Sequence, residues 1–179
     1  NKYILYLVNE KKISVSQQNM RINAIKFYYE QVKGGKRQYY GGITRAKEYK
    51  SLPEVLSKNE IKRILDQLSN IKHRCMIALV YSAGLRRSEL LNLTPKDINS
   101  ETMSVRIMGK GKKCRYSLLS PKLLEELRQY FREYRPKKWL FEGETPGVQY
   151  SASALVKVLK EAAQRAGIKH RVQIGRAHV

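Results

Sequence analysis

Apolar residues recur at helical spacing along most of the chain, and this pattern predicts a mainly helical protein. Residues 3–8 form a short amphipathic segment that we interpret as the end of a helix. A second helix is predicted over 17–31, with Ser14 and Ser16 as candidates for its N-cap. Its predicted apolar face consists of Met20, Ile22, Ala24, Ile25, Phe27 and Tyr28. These segments indicate a small helical unit at the start of the chain.

Further helix signals follow in the second part of the chain. Ser57 opens a capping box, which is typical of a helix start. Ser120-Pro121 predicts the start of a helix over 122–134, and Gly167 predicts the end of another over 151–166. These signals indicate a second and larger helical unit in this part of the chain.

A short hairpin is predicted between these helices. Strand-like runs cover 103–108 and 114–118, and the turn Gly109-Lys110-Gly111-Lys112-Lys113 joins them. The predicted fold class is therefore mainly α with a small antiparallel β-sheet (α+β).

The charge of the chain restricts its partners. It carries 36 Lys and Arg against 15 Asp and Glu, a formal net charge of +21 in 179 residues. This excess favours a polyanionic partner, most simply nucleic acid, although charge alone does not separate DNA from RNA or an anionic membrane. No apolar stretch of about 18 residues and no secretion signal occurs, so we expect a cytoplasmic protein without a membrane span. Cys75 and Cys114 lack metal-binding spacing and are interpreted as reduced packing residues.

The candidate chemistry lies where an apolar run over 76–81 ends at Gly84. Arg86 and Arg87 follow at once, and a guanidinium held there could clamp two oxygens of a phosphate. Glu89 lies one helical turn after Arg86 and can brace it by an i,i+3 interaction. Taken alone, the pattern favours a helix-turn-helix corner with surface arginines. The hairpin that follows changes that interpretation.

Segment 81–93 and hairpin turn 109–113 resemble, in order and spacing, the tyrosine recombinase (phage integrase) family in its bacterial, Xer-like or mobile-element branch. The resemblance implies that Arg86 is the first catalytic arginine, Lys110 the catalytic lysine that protonates the leaving 5′-oxygen, and Glu89 a support of the active site. It also implies a tyrosine nucleophile and a 3′-phosphotyrosine intermediate. Preorganised positive charge would stabilise the transition state, so we expect neither metal nor other cofactor.

The same resemblance divides the chain. Residues 1–33 would be part of a helical core-binding domain, 34–54 a basic linker and 55–173 an incomplete catalytic domain. Basic residues of the linker and motifs are predicted to contact the DNA backbone: Lys36, Arg37, Arg45, Lys47, Arg87, Lys112, Lys113 and Arg115. The partner would be double-stranded DNA, in a synaptic tetramer for the full-length protein, whereas this chain is expected to be a monomer.

The family's His-x-x-Arg segment and nucleophilic tyrosine are expected after the last predicted helix. Here His170 and Arg171 are adjacent, and no tyrosine occurs after Tyr150. Residues 174–179 match what one reading frame of a common sequencing adapter would encode, so we expect a non-native tail on a fragment cut at both ends. We therefore expect this polypeptide to bind duplex DNA without cleaving it.

Two other classes of protein fit the same residues. A non-catalytic, sequence-specific DNA-binding regulator would use Arg86 only to position the backbone and would form no covalent adduct. A type IB topoisomerase-like enzyme shares the arginine-lysine chemistry and would relax supercoils without exchange between two sites. The residues of the Arg86 segment and of the hairpin turn favour the recombinase.

Overall fold

The structure is a computed structural model that describes residues 2–34, 55–109, 113–170, 172 and 174. The chain divides into two compact units, Asn1–Leu52 and Pro53–Val179. The predicted linker 34–54 and the predicted tail 174–179 fall almost wholly outside the described residues, so both stay predictions.

The first unit contains a pair of helices. Helix α1 spans Lys2–Asn9 and α2 spans Val15–Phe27, which a single π-helical turn extends at Tyr28–Val32. The hydroxyl of Ser14 accepts a hydrogen bond from the Gln17 amide at 3.3 Å, so Ser14 is the N-cap, as the sequence predicts. The buried residues of this unit are Ile4, Leu7 and Ile22.

The broad apolar face predicted for α2 is wrong at Met20, Phe27 and Tyr28, whereas Ile25 packs against the small core of this unit. Met20 is 63% exposed, Phe27 is 62% exposed and Tyr28 is exposed as well, whereas Ile22 is buried. In the described part of this unit α2 packs on α1, and this contact covers only part of the apolar stripe.

The second unit carries five α-helices and a small sheet among its described residues. In chain order these elements are α3 (Lys58–Asp66), α4 (Ile71–Ala83), α5 (Arg87–Leu91), a 3₁₀ turn (Pro95–Asp97), β1 (Ile98–Asn99), β2 (Ser104–Met108), β3 (Cys114–Leu118), α6 (Pro121–Tyr134) and α7 (Ala152–Arg165). The sheet is antiparallel with strand order β1-β2-β3. The predicted fold class, mainly α with a small antiparallel sheet, is confirmed.

Side-chain caps fix where these helices begin. The Ser57 hydroxyl accepts from the Glu60 amide while the Glu60 carboxylate accepts from the Ser57 amide at 2.9 Å, which is the predicted capping box. The Ser120 hydroxyl accepts from the Leu123 amide at 3.3 Å, and Pro121 is the first residue of α6. Both predicted helix starts are therefore confirmed.

One hydrophobic core joins the helices of the second unit to the sheet. Cys75, Met76 and Leu79 of α4 are fully buried, and Val105 and Ile107 of β2 are buried against the same cluster. Burial raises the pKa of the Cys75 thiol to about 12, so this cysteine packs as a neutral group. Cys114 is exposed, so its interpretation as a packing residue is wrong.

Candidate functional site

The corner between α4 and α5 holds Arg86 in place. Helix α4 ends at Gly84, whose φ of 59° lies in the left-handed region that glycine adopts most readily. Arg86 is the N-cap of α5 and has an extended backbone conformation. Leu85 on one side and Leu90 on the other are buried in the core. The backbone of Arg86 is thus anchored on both sides by apolar contacts.

Glu89 holds Arg86 through backbone and side chain together. Its Oε2 accepts from the Arg86 amide at 2.9 Å, and its Oε1 accepts from Arg86 Nη1 at 2.8 Å. The Glu89 side chain is only 4% exposed, whereas that of Arg86 is 65% exposed. The i,i+3 pairing predicted from the sequence is therefore present, and a buried carboxylate holds a guanidinium that faces solvent.

Glu89 remains ionised despite its burial. Burial raises the pKa of this carboxyl, but the hydrogen bonds from Arg86 and Arg115 lower it further, and the net pKa lies below its usual value. At neutral pH the site therefore contains a carboxylate between two guanidinium groups.

Arg115 is a second partner of Glu89 that the sequence analysis missed. It lies on β3, and its Nη2 donates to Glu89 Oε2 at 2.8 Å and to the Gly84 carbonyl at 3.1 Å, while Nη1 donates to the Ala83 carbonyl at 3.4 Å. Its register partner on β2 is Ile107, which is fully buried. The alternation within β3 points the other way, because its apolar positions are Cys114, Tyr116 and Leu118, yet Tyr116 is 70% exposed and Leu118 is 81% exposed. The strand pattern therefore gave no signal for the Arg115 contact.

The base of the predicted hairpin lies against the same carboxylate. The Gly109 amide donates to the Lys113 carbonyl at 2.8 Å. A Cβ added at Gly109 would lie 3.7 Å from Glu89 Oε1, so backbone and carboxylate approach closely. The structure thus brings the start and end of the hairpin turn next to the Arg86 segment.

The remaining predicted site residues fall into two groups. Arg87 and Lys113 are exposed. The others lie outside the described residues: Lys36, Arg37, Arg45, Lys47, Lys110 and Lys112. Their roles stay predictions.

A second arginine-carboxylate pair joins the 3₁₀ turn to the same sheet. Asp97 Oδ2 accepts from the Thr94 amide at 2.8 Å and from the Thr94 hydroxyl at 2.7 Å, and Asp97 Oδ1 accepts from Arg106 Nε of β2 at 2.8 Å. Burial raises the pKa of Asp97, but the bonds from Thr94 and Arg106 outweigh burial and leave it lowered. This pair fastens the 3₁₀ turn to the sheet.

Among the residues that the structure describes, no cluster of three or more His, Cys, Asp or Glu side chains could hold a metal ion. No helix in that part of the chain is long and apolar enough to cross a membrane.

Comparison with known proteins gives consistent matches. The model of the Phage integrase family matches residues 54–178. The integrase/recombinase protein y4eF of Sinorhizobium fredii is 39% identical over 146 residues, which are 81% of this chain and 58% of that protein. The chain spans about half the length of the curated relatives it matches, at 58%, 52% and 48% for three of them.

Solved structures of recombinases share the fold. The XerH site-specific recombinase, bound to its palindromic difH substrate, superposes with a TM-score of 0.73 at 22% identity, covering 94% of this chain and 55% of that one. A lambda integrase tetramer bound to a Holliday junction gives a TM-score of 0.72 at 13% identity, with 97% and 54% coverage. At these identities the similarity establishes the fold.

Proposed function

Because the chain belongs to the phage integrase family, we propose that its protein breaks and rejoins DNA in site-specific recombination through a 3′-phosphotyrosine link. The observation that carries the proposal is the Arg86–Glu89 pair, in which a nearly buried carboxylate presents an exposed guanidinium. Such a fixed cation is what electrostatic stabilisation of a phosphoryl transition state requires.

Arg86 is the proposed ligand of the scissile phosphate. A guanidinium has five N–H donors, and the hydrogen bond to Glu89 occupies Nη1. Among the described residues no side-chain hydrogen bond uses Nε or Nη2, and we propose that these donors bind two non-bridging oxygens side by side. Because Glu89 fixes the group beforehand, little reorganisation is needed when negative charge develops on the phosphate.

Lys110 is the proposed general acid. It follows Gly109 directly, and Gly109 lies close to Glu89 Oε1. A lysine in a short turn at this place could protonate the leaving 5′-oxygen of a phosphate bound by Arg86. We assign no metal or other cofactor to this chemistry.

Double-stranded DNA is the proposed partner. Arg87 and Lys113 are exposed basic residues beside the site and would contact neighbouring phosphates, together with Lys112 and the linker cations. XerH binds a difH substrate, and lambda integrase forms a tetramer on a Holliday junction. By analogy we propose that four protomers assemble on DNA in the cytoplasm.

The 179-residue polypeptide itself is proposed to bind duplex DNA as a monomer without cleaving it. It has no tyrosine after Tyr150 and no His-x-x-Arg segment after Gly167. No residue of the given sequence is therefore proposed as the nucleophile or as the second catalytic arginine.

A trapping experiment on the protein from the complete reading frame tests the proposal. The protein is incubated with a nicked suicide substrate that carries its own recombination site, and a denaturing gel reports covalent protein–DNA adduct. We expect an adduct in the wild type, a large loss in Arg86→Ala, and recombination between two sites on intact DNA. DNA binding without adduct would instead favour a non-catalytic regulator, and supercoil relaxation without exchange a topoisomerase.

A further inference from the structure

We propose that Arg115 is a positioning residue for Arg86, acting through Glu89. The inference rests on the proposed function, because it concerns how the phosphate-binding guanidinium is held. Its basis is that both arginines bind the same carboxylate, each at 2.8 Å.

The two oxygens of Glu89 bind the side chains of different arginines. Oε1 accepts from Arg86 Nη1, whereas Oε2 accepts from the Arg86 amide and from Arg115 Nη2. Because Arg115 occupies Oε2, Arg86 cannot pair with both oxygens through its side chain. Without Arg115, a two-point pair between Arg86 and Glu89 would become available and would occupy the N–H groups needed for phosphate.

Arg115 also connects three segments of the chain. It lies on β3 and donates to the carbonyls of Ala83 and Gly84 at the end of α4, while it binds Glu89 of α5. Carbonyls at a helix end lack intrahelical partners, so a cation there is favourable. The planar guanidinium of Arg115 thereby fixes the position of β3, which follows Lys110 in the chain, relative to the corner that carries Arg86.

These contacts leave Arg115 poorly placed for clamping phosphate itself. Both of its terminal nitrogens already donate within the protein, Nη1 to Ala83 and Nη2 to Gly84 and Glu89. For Arg86, the side-chain hydrogen bond found within the described ranges uses Nη1. The structure therefore assigns phosphate binding to Arg86 and positioning to Arg115.

The test compares cleavage and binding in the protein from the complete reading frame. Single-turnover cleavage rates at saturating protein and Kd values for DNA are measured for the wild type, Arg115→Ala and Arg106→Ala. Arg106 is the matched control because it also lies on the sheet and binds a nearly buried carboxylate, Asp97, at 2.8 Å. We expect Arg115→Ala to cleave about 100-fold more slowly with little change in Kd, since small misplacements of a catalytic group cost about that much. Arg106→Ala should cleave at the wild-type rate.

A double mutant separates positioning from direct contact. If Arg115 acts through Arg86, Arg86→Ala/Arg115→Ala should cleave no more slowly than Arg86→Ala alone, because the effects are not independent. A rate loss in the double mutant equal to the product of the two single losses would overturn the inference. So would weaker DNA binding by Arg115→Ala with a salt dependence of Kd reduced by about one charge, because that result would identify a phosphate contact.

A conservative variant covers the case in which Arg115→Ala does not fold, which thermal melting reports. Arg115→Lys keeps the charge for Glu89 but lacks the planar fork. We expect a rate between those of Arg115→Ala and the wild type at unchanged Kd, and a wild-type rate would overturn the inference. Normal cleavage by Arg86→Ala, or no adduct with the wild type, would overturn the proposed function. Normal cleavage by the Arg115 variants alone would overturn only the role of Arg115.

Discussion

Glu89 and Asp97 are held in nearly the same way, yet only one of them supports a candidate site. Each carboxylate caps a short helix three residues after the N-cap, and each binds an arginine from the sheet at 2.8 Å. At Asp97 the N-cap residue is Thr94, whose hydroxyl donates to the same carboxylate. At Glu89 the N-cap residue is Arg86, which adds a second cation.

The difference shows how one residue distinguishes a structural ion pair from a candidate binding site. The Asp97 pair has one arginine for one carboxylate, and its hydrogen bonds hold the 3₁₀ turn against β2. The Glu89 group has two arginines for one carboxylate, so a positive charge remains, and it is exposed on Arg86. An excess cation on a rigid support is suited to an anionic ligand.

The largest expected difference is in the cleavage rate when the charge of Glu89 or that of Asp97 is removed separately. Glu89→Gln should lower the cleavage rate of the full-length protein at least 100-fold, because Arg86 loses the charge that orients it. Asp97→Asn should leave cleavage unchanged. Both variants should lose about 2 kcal/mol of unfolding free energy, since each breaks charged hydrogen bonds. Urea unfolding and single-turnover cleavage check the two parts, and equal cleavage losses would show that the two carboxylates are equivalent.

Substituting the glycine at the corner should have a smaller effect. Gly84 has φ of 59° with open space where a Cβ would lie, so Gly84→Ala should cost about 1–2 kcal/mol of stability through backbone strain alone. Gly147, at φ 80° and likewise open, gives a matched control. Gly147→Ala should cost a similar amount in thermal unfolding. We expect reduced cleavage only for Gly84→Ala, and a loss of cleavage in both variants would argue against a local role for the corner.

The lowered pKa values of both carboxyls should make the unfolding free energy depend on pH. This effect should be the smallest of the three at neutral pH and clearest in acid. In an unfolded chain the side chains of Glu and Asp have pKa values of about 4.3 and 3.9. In the folded protein the pKa values of Glu89 and Asp97 lie below their usual values. Their stabilising contribution is therefore complete above those unfolded values and is lost as the pH falls through the folded ones. Unfolding free energy should drop less steeply below about pH 4 in Glu89→Gln and Asp97→Asn than in the wild type. Identical slopes would contradict the assigned shifts.

The sequence predicted the local half of this site and missed the distant half. The Arg86–Glu89 pair follows from i,i+3 spacing, and the turn at Gly84 from the preference of glycine for helix ends. The contact of Arg115 depends on the register that sets it opposite Ile107, and a shift of one residue would turn its side chain to the other face. Such a register is settled by tertiary packing, which spacing does not encode.

Packing also explains the failed prediction in α2. Its periodicity marks Met20 and Phe27 as apolar positions, but periodicity does not say how many neighbours a helix has. In the described part of the first unit α2 packs on α1, and both side chains are exposed.

The most direct test of the central claim compares two adjacent arginines in the full-length protein. Single-turnover cleavage at saturating DNA is measured for Arg86→Ala and Arg87→Ala. We predict that Arg86→Ala lowers the rate about 10²–10³-fold, the usual cost of removing one oxyanion donor. Arg87→Ala should weaken DNA binding and leave the saturated rate unchanged, because Arg87 is exposed and lies outside the Glu89 contacts. Near wild-type cleavage by Arg86→Ala would contradict the account.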